Sequence, residues 1–171
     1  VMDQSLEIVN KVAQSGLISL DLEELIPEKM ERAIDIKDQL FQGLILKEKD
    51  FRAWVKENDW SVYSDSYVAI YCSVDAIVPT WAYMLISAAL EPFSSDCFFC
   101  EPRVLSTLVA EKYLNTIDVE VYKDCRVVIK GCGHRQISNH AYVKLTTLLL
   151  PYAKTIMFGE PCSTVPVFKR K

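Results

Sequence analysis

The chain has 171 residues, half of them apolar, with 19 basic against 23 acidic side chains, six cysteines and two histidines. That composition excludes disordered and low-complexity classes, which lack the apolar surface to offset the entropy of ordering. A net charge of −4 gives no field for holding a polyanion, so nucleic acid is not an expected partner, and the uncharged run between Asp75 and Glu91, interrupted by Pro79, is shorter than the ~20 residues a bilayer crossing needs.

One domain over 1–171 is the expectation at this length, with 1–62 packed on a core formed by 63–171. The start Met2-Asp3-Gln4-Ser5-Leu6-Glu7 carries acid where a secretory signal carries base, which points to the cytoplasm, a compartment where thiols stay reduced. Lys169, Arg170 and Lys171 read as a solvated tail.

In chain order, 4–14 reads as an amphipathic helix with Leu6, Val9 and Ala13 on one face, closed by Ser15-Gly16. Residues 17–20 form a strand or an extended connector, 32–36 a strand, and 41–46 an apolar piece that periodicity does not classify. Phe51, Trp54 and Val55 fall at i, i+3 and i+4 and predict a helix over 47–57. From Tyr67 the pattern becomes regular. The run 68–71 ends at Cys72, and Pro79 opens a helix with Trp81, Met84, Leu85 and Ala88 on its stripe. The run 96–99 ends at Cys100, and Pro102 opens a helix with Leu105, Leu108, Val109 and Tyr113 inward. The run 126–129 ends at Gly131-Cys132-Gly133, after which Ser138 or Asn139 caps a helix that points Ala141, Leu145, Leu148 and Leu149 inward. The run 155–158 leads through Gly159-Glu160-Pro161 to Cys162.

Apolar strands alternating with helices are the signature of a parallel sheet covered on both faces, so the expected fold is α/β, a mainly parallel sheet preceded by a smaller α+β segment. Right-handed crossovers would bring the four strand C-termini to one edge, where open α/β sheets bind ligands.

Four cysteines, Cys72, Cys100, Cys132 and Cys162, sit at those four strand ends. Thiolates converging there could hold Zn²⁺ or an iron–sulfur cluster, or act as a redox or nucleophilic centre; a buried, inert thiol is the plain alternative. His134, beside Cys132, could add a nitrogen ligand, and Asp75 and Glu160 are candidate carboxylate ligands or acceptors for the ligands' hydrogen bonds. Cys97 and Cys125 are assigned to packing. Trp54, Trp60, Trp81 and Tyr83 are assigned to core or pocket wall. No phosphate-cradling glycine loop, Gly-x-Ser-x-Gly elbow or His-Glu-x-x-His helix is present in the sequence.

At 41–52, 79–85 and 127–132, and above all at Gly159-Glu160-Pro161-Cys162-Ser163-Thr164-Val165-Pro166, the chain resembles an uncharacterised bacterial family defined only as a domain of unknown function. The resemblance implies that Cys72, Cys132 and Cys162 belong to the family pattern and that Cys97, Cys100 and His134 are particular to this chain. It implies no activity. Three strand-end thiolates with an open position are similar in logic to quinolinate synthase, where cysteines from α/β units hold a cluster with one accessible iron.

The leading expectation is therefore zinc or an iron–sulfur cluster held by Cys72, Cys132 and Cys162, with the fourth position taken by Cys100, His134, a carboxylate or solvent. A metal-free protein with a reactive cysteine or a small-ligand pocket at the same edge is the second reading. A non-enzymatic interaction module is the third. The partner is left open between a small molecule, a protein and a second copy.

Overall fold

A computed structural model describes residues 16–131, 133–160 and 162–171. The helix expected over 4–14 and the thiol of Cys132 lie outside the described residues. The chain divides into two units, Glu28–Ala110, and Glu111–Lys171 with the residues up to Pro27.

In Glu28–Ala110, strands β2 (Met30–Asp35), β3 (Ser66–Tyr71) and β4 (Asp96–Phe99) form an all-parallel sheet in the order β2-β3-β4. Central β3 is buried from Ser66 to Ile70, which is why its sequence runs apolar without alternation. Helix α2 (Glu48–Glu57) starts on acidic Glu48 and Asp50, which favour the positive end of the helix dipole, and an Arg52–Glu48 pair at 2.9 Å supports its exposed side. Helix α3 (Thr80–Leu90) follows Pro79 and buries Ala82, Ile86 and Leu90. These residues share one core with Ile34, Ile36, Phe51, Trp60, Val68 and Ile70. Each fully buried large side chain there is worth about 1.5–3 kcal/mol. Trp60 donates its indole N–H to the Val55 carbonyl at 2.8 Å, and Trp54 stacks edge-on to it with centroids 5.4 Å apart. The tryptophans are structural.

The α3 stripe is rotated from the one expected, for Met84 is 64% exposed. That helix is apolar on nearly every side, so periodicity does not choose a face; Ala82 and the aliphatic Ile86 and Leu90 pack most closely on the sheet.

In the other unit, β1 (Leu17–Leu20), β5 (Arg126–Ile129), β6 (Thr155–Glu160) and β7 (Ser163–Lys169) form a sheet in the order β1-β5-β6-β7. The first three are parallel, and β7 is antiparallel to β6. Helix α5 (Asn139–Leu149) crosses from β5 to β6 and buries Ala141, Leu145 and Leu149. A short helix, α1 (Leu22–Leu25), follows β1, and α4 (Leu105–Leu114) runs across the boundary between the units. Among the described residues, no helix is long and apolar enough to cross a membrane.

The class is α/β, as the strand and helix pattern implies. The single sheet edge is corrected, because β3 and β4 belong to one sheet and β5 and β6 to another. Strand β7 is an element that the sequence pattern does not announce. Pro166 in Ser163–Lys169 reads as a break, yet on an edge strand a residue without an N–H is tolerated. The basic end is tied down rather than a free tail, with the Arg170 amide donating to the Lys154 carbonyl at 2.9 Å.

The two sheets are versions of one unit. From Asp59-Trp60-Ser61-Val62-Tyr63-Ser64-Asp65 to Asp118-Val119-Glu120-Val121-Tyr122-Lys123-Asp124 and on to Glu101-Pro102 and Glu160-Pro161, the chain repeats at a constant offset of 59 residues. The structure keeps that offset. Asp59 and Asp118 each cap a 3-10 turn through a carboxylate oxygen, and Asp65 (φ 52) and Asp124 (φ 60) each adopt a left-handed backbone before the central strand. The Asp65 amide donates to the Phe93 carbonyl and the Asp124 amide to that of Tyr152, at 3.1 and 3.0 Å. Tyr67 pairs with Asp96 and Arg126 with Thr155, the same register in both sheets. At the start of each unit, Asp35 and Asp21 cap the turn after the first strand, and Ile36 and Leu22 are buried behind them.

Candidate functional site

Two crevices lie at the C-terminal ends of parallel strands, one in each unit, where polar loop backbone and apolar strand ends meet.

In Glu28–Ala110 the crevice has a volume of about 480 Å³ and is lined by Tyr71, Cys72, Ser73, Glu101, Pro102 and Arg103. Cys72 follows β3 and donates its S–H to the Val74 carbonyl at 3.4 Å. Cys100 follows β4, and its amide donates to the Ile70 carbonyl at 3.3 Å. Burial, and next the nearby Glu31 carboxylate, push the Cys100 thiol above its ordinary value, which keeps it protonated and unreactive at neutral pH. Asp35, at the end of β2, accepts the amides of Lys37 and Ser73 at 3.1 and 3.0 Å. Burial works against its ionised form, but the Ser73 hydroxyl and amide, the Lys37 amide and the Lys37 ammonium outweigh it, so its carboxyl sits below the usual range. Tyr83 is pushed up by burial and by the neighbouring Cys72 and Asp35. Asp75 is exposed on the loop that leads to α3.

In the other unit the crevice is larger, about 810 Å³, and is lined by the β5–α5 loop, the first turns of α5 and Phe158 of β6. Gly131 is decisive here. A Cβ at that position would lie 2.4 Å from the Phe158 ring, so the missing side chain lets the ring lie against loop backbone. The equivalent residue in the first unit is Cys72, and the equivalent ring, Phe99, stands 72% exposed. Tyr142 meets Phe158 edge-to-face with centroids 5.6 Å apart, as Tyr83 meets Phe99 at 4.7 Å. Gln136 and Asn139 add side-chain amides to the lining.

The loop is pinned to the β1–α1 segment. The Arg135 amide donates to the Glu23 carboxylate, and its guanidinium donates to the Ile26 carbonyl at 2.6 Å. Arg135 Nε and Ser138 Oγ are nonetheless buried without a hydrogen-bond partner among the described residues. Ser138 occupies the cap position of α5 but makes no side-chain cap hydrogen bond. Lys130, at the end of β5, pairs with Asp21 at 3.2 Å, and Asp21, then Glu24 and Glu160, raise its affinity for its proton. With Glu23 added, four carboxylates surround two cations, so this edge does not favour an anion.

The strands that carry the expected ligands belong to two sheets. Cys72 and Cys100 tip the three-stranded sheet, whereas Cys162 lies exposed in the β6–β7 turn of the four-stranded one. Sharing one sheet edge was the reason to expect these thiols together, and that reason does not hold. His134 is exposed in the β5–α5 loop, and Glu160 is half-buried at the end of β6, in register with Ser163. Among the described residues, no group of three or more His, Cys, Asp or Glu side chains is placed to hold a metal ion. Cys97 packs against the core and donates to Ser87 Oγ at 3.3 Å, while Cys125 donates to the Lys123 carbonyl at 3.4 Å.

A model of the family described as a protein of unknown function, DUF2480, matches residues 6–170. The chain belongs to the DUF2480 family. No curated protein and no solved structure matches it. For this DUF2480 chain the residues missed by sequence reasoning are Asp35, Gly131, Tyr142 and Phe158. The signal that finds the last two is the 59-residue repeat, which aligns Tyr142 with Tyr83 and Phe158 with Phe99 on the same face of equivalent units.

Proposed function

We propose that this protein binds a small, largely uncharged organic molecule at the β5–α5 end of its four-stranded sheet. The observation that carries the reading is the crevice of about 810 Å³ in which Phe158 lies against the backbone at Gly131. Its size falls within the ~300–1,000 Å³ of ordinary ligand pockets, and its lining pairs aromatic faces with a few amide groups, the usual division between binding area and orientation. A ligand of this class would lay an apolar or planar part on Tyr142 and Phe158 and direct its acceptors to Gln136, Asn139 and the loop. The carboxylate excess around Lys130 is the reason to choose an uncharged ligand over an anionic one.

The zinc or iron–sulfur reading through Cys72, Cys132, Cys162, Cys100 and His134 has less support, since Cys72 and Cys100 follow strands of one sheet and His134 and Cys162 follow strands of the other.

The test is a ligand-observed NMR screen of a small-molecule set against the full chain, repeated with Gly131→Ala. The added methyl forces the Phe158 ring away from the loop, so hits at this site lose at least tenfold in affinity. Hits that bind both proteins equally would place the ligand elsewhere.

A further inference from the structure

The repeat exposes one asymmetry between otherwise equivalent units. In the four-stranded sheet, β7 covers the outer edge of β6, and its Val167 lies in the groove between β6 and α5 with Tyr142, Val143 and Phe158. In the three-stranded sheet, β4 is the last strand among the described residues. The equivalent groove, between β4 and α3, is lined by Tyr83, Met84, Cys97 and Phe99 and measures about 500 Å³ against 320 Å³ where Val167 contributes. Met84 and Phe99 are 64% and 72% exposed along it.

Because β3–β4 and β5–β6 share one register, β4 turns toward its outer side the same alternate set of backbone groups that β6 gives to β7. The geometry points to β4 and its groove as the docking site for an extended segment of a partner protein, added antiparallel as β7 is added to β6. The chain itself shows what covers such an edge. The segment needs a small apolar side chain in the groove, at the position of Val167, and a basic residue close behind it. In the four-stranded sheet, Arg170 donates to the carbonyls of Leu150 and Pro151. The residue equivalent to Leu150 is Glu91, exposed and part of the groove lining, so a cation placed as Arg170 is would meet a carboxylate there. Backbone pairing with pockets for alternate side chains is how strand addition gains affinity and specificity.

The test uses a dye-labelled peptide with the sequence of 163–171, titrated into the full chain and followed by fluorescence anisotropy. Saturable binding is expected, weakened at least tenfold by Met84→Glu and at least threefold by Glu91→Lys. Val143→Glu, at the position equivalent to Met84 in the four-stranded unit, should leave it unchanged. Met84 is an exposed helical residue, so its replacement leaves the fold intact, as far-UV circular dichroism would verify. Absence of saturable binding, or equal binding by wild type and Met84→Glu, overturns the proposal. So does a dimer in sedimentation that Met84→Glu dissolves, since the occupant would then be a second copy.

Discussion

Gly159 offers the sharpest test of the fold, because it stands where β6 turns toward β7 and the equivalent position in the other unit is Cys100. Its φ is +122°, and an added Cβ would sit 2.6 Å from the Ser163 carbonyl oxygen, a backbone atom that cannot swing away as a side chain can. Backbone strain of this kind costs about 1–3 kcal/mol, and the shift of the hairpin adds to it, so Gly159→Ala should lose roughly 2–4 kcal/mol. For a chain of this size, 1 kcal/mol moves the melting temperature by about 2–4 °C, giving a fall of about 4–16 °C. Cys100→Gly is the control, expected to lose about 1 kcal/mol from greater chain entropy and a lost half-buried thiol. Thermal unfolding followed by far-UV circular dichroism reads both. Trp54, Trp60 and Trp81 all lie in Glu28–Ala110, so tryptophan fluorescence reports that unit separately. A Gly159→Ala protein within about 0.5 kcal/mol of wild type would refute the assigned hairpin geometry.

Asp35 should make stability depend on acid. Its folded carboxyl lies below its unfolded value of about 3.9, so its contribution is full above that value and is lost as pH falls through the folded one. The stability gap between wild type and Asp35→Asn, measured by urea unfolding, should be constant from pH 7 to about pH 5 and shrink below it; a gap independent of pH would count against the charge. Under iodoacetamide at neutral pH, peptide mapping should find exposed Cys162 modified well before Cys100, whose thiol burial holds protonated. Elemental analysis of protein purified without air should return well under one zinc or iron per chain; a stoichiometric ion lost in Cys132→Ser would restore the thiolate site in place of the organic ligand.

Most elements were legible because their cause is local. Phe51 and Val55 mark α2, Pro79 starts α3, and the apolar runs at β3 and β5 are buried as their composition implies, whereas β6 buries only Ile156. What was not legible is the partition of strands between sheets, since Val68–Tyr71 and Arg126–Ile129 look alike whether they join one sheet or found two. The site reading depends on that partition, because it places the strand-end cysteines on one shared edge, and the strands they follow belong to two sheets. In the sequence, Gly131 stands out only as a neighbour of Cys132. Its role lies in what Phe158 does 27 residues later, which no local pattern encodes.

The repeat also works as an alignment of the protein with itself. Positions held in common, such as Tyr63 and Tyr122, Asp65 and Asp124, Ala82 and Ala141, or Pro92 and Pro151, are those the unit requires in order to fold. Positions where the halves part company are free of that demand. Cys72 against Gly131 and Cys100 against Gly159 are such positions, at matching strand ends, so one half trades backbone freedom for thiols and the other trades thiols for close backbone approach. Swapping residues across the repeat, one pair at a time, would therefore separate what each half does from what both must be.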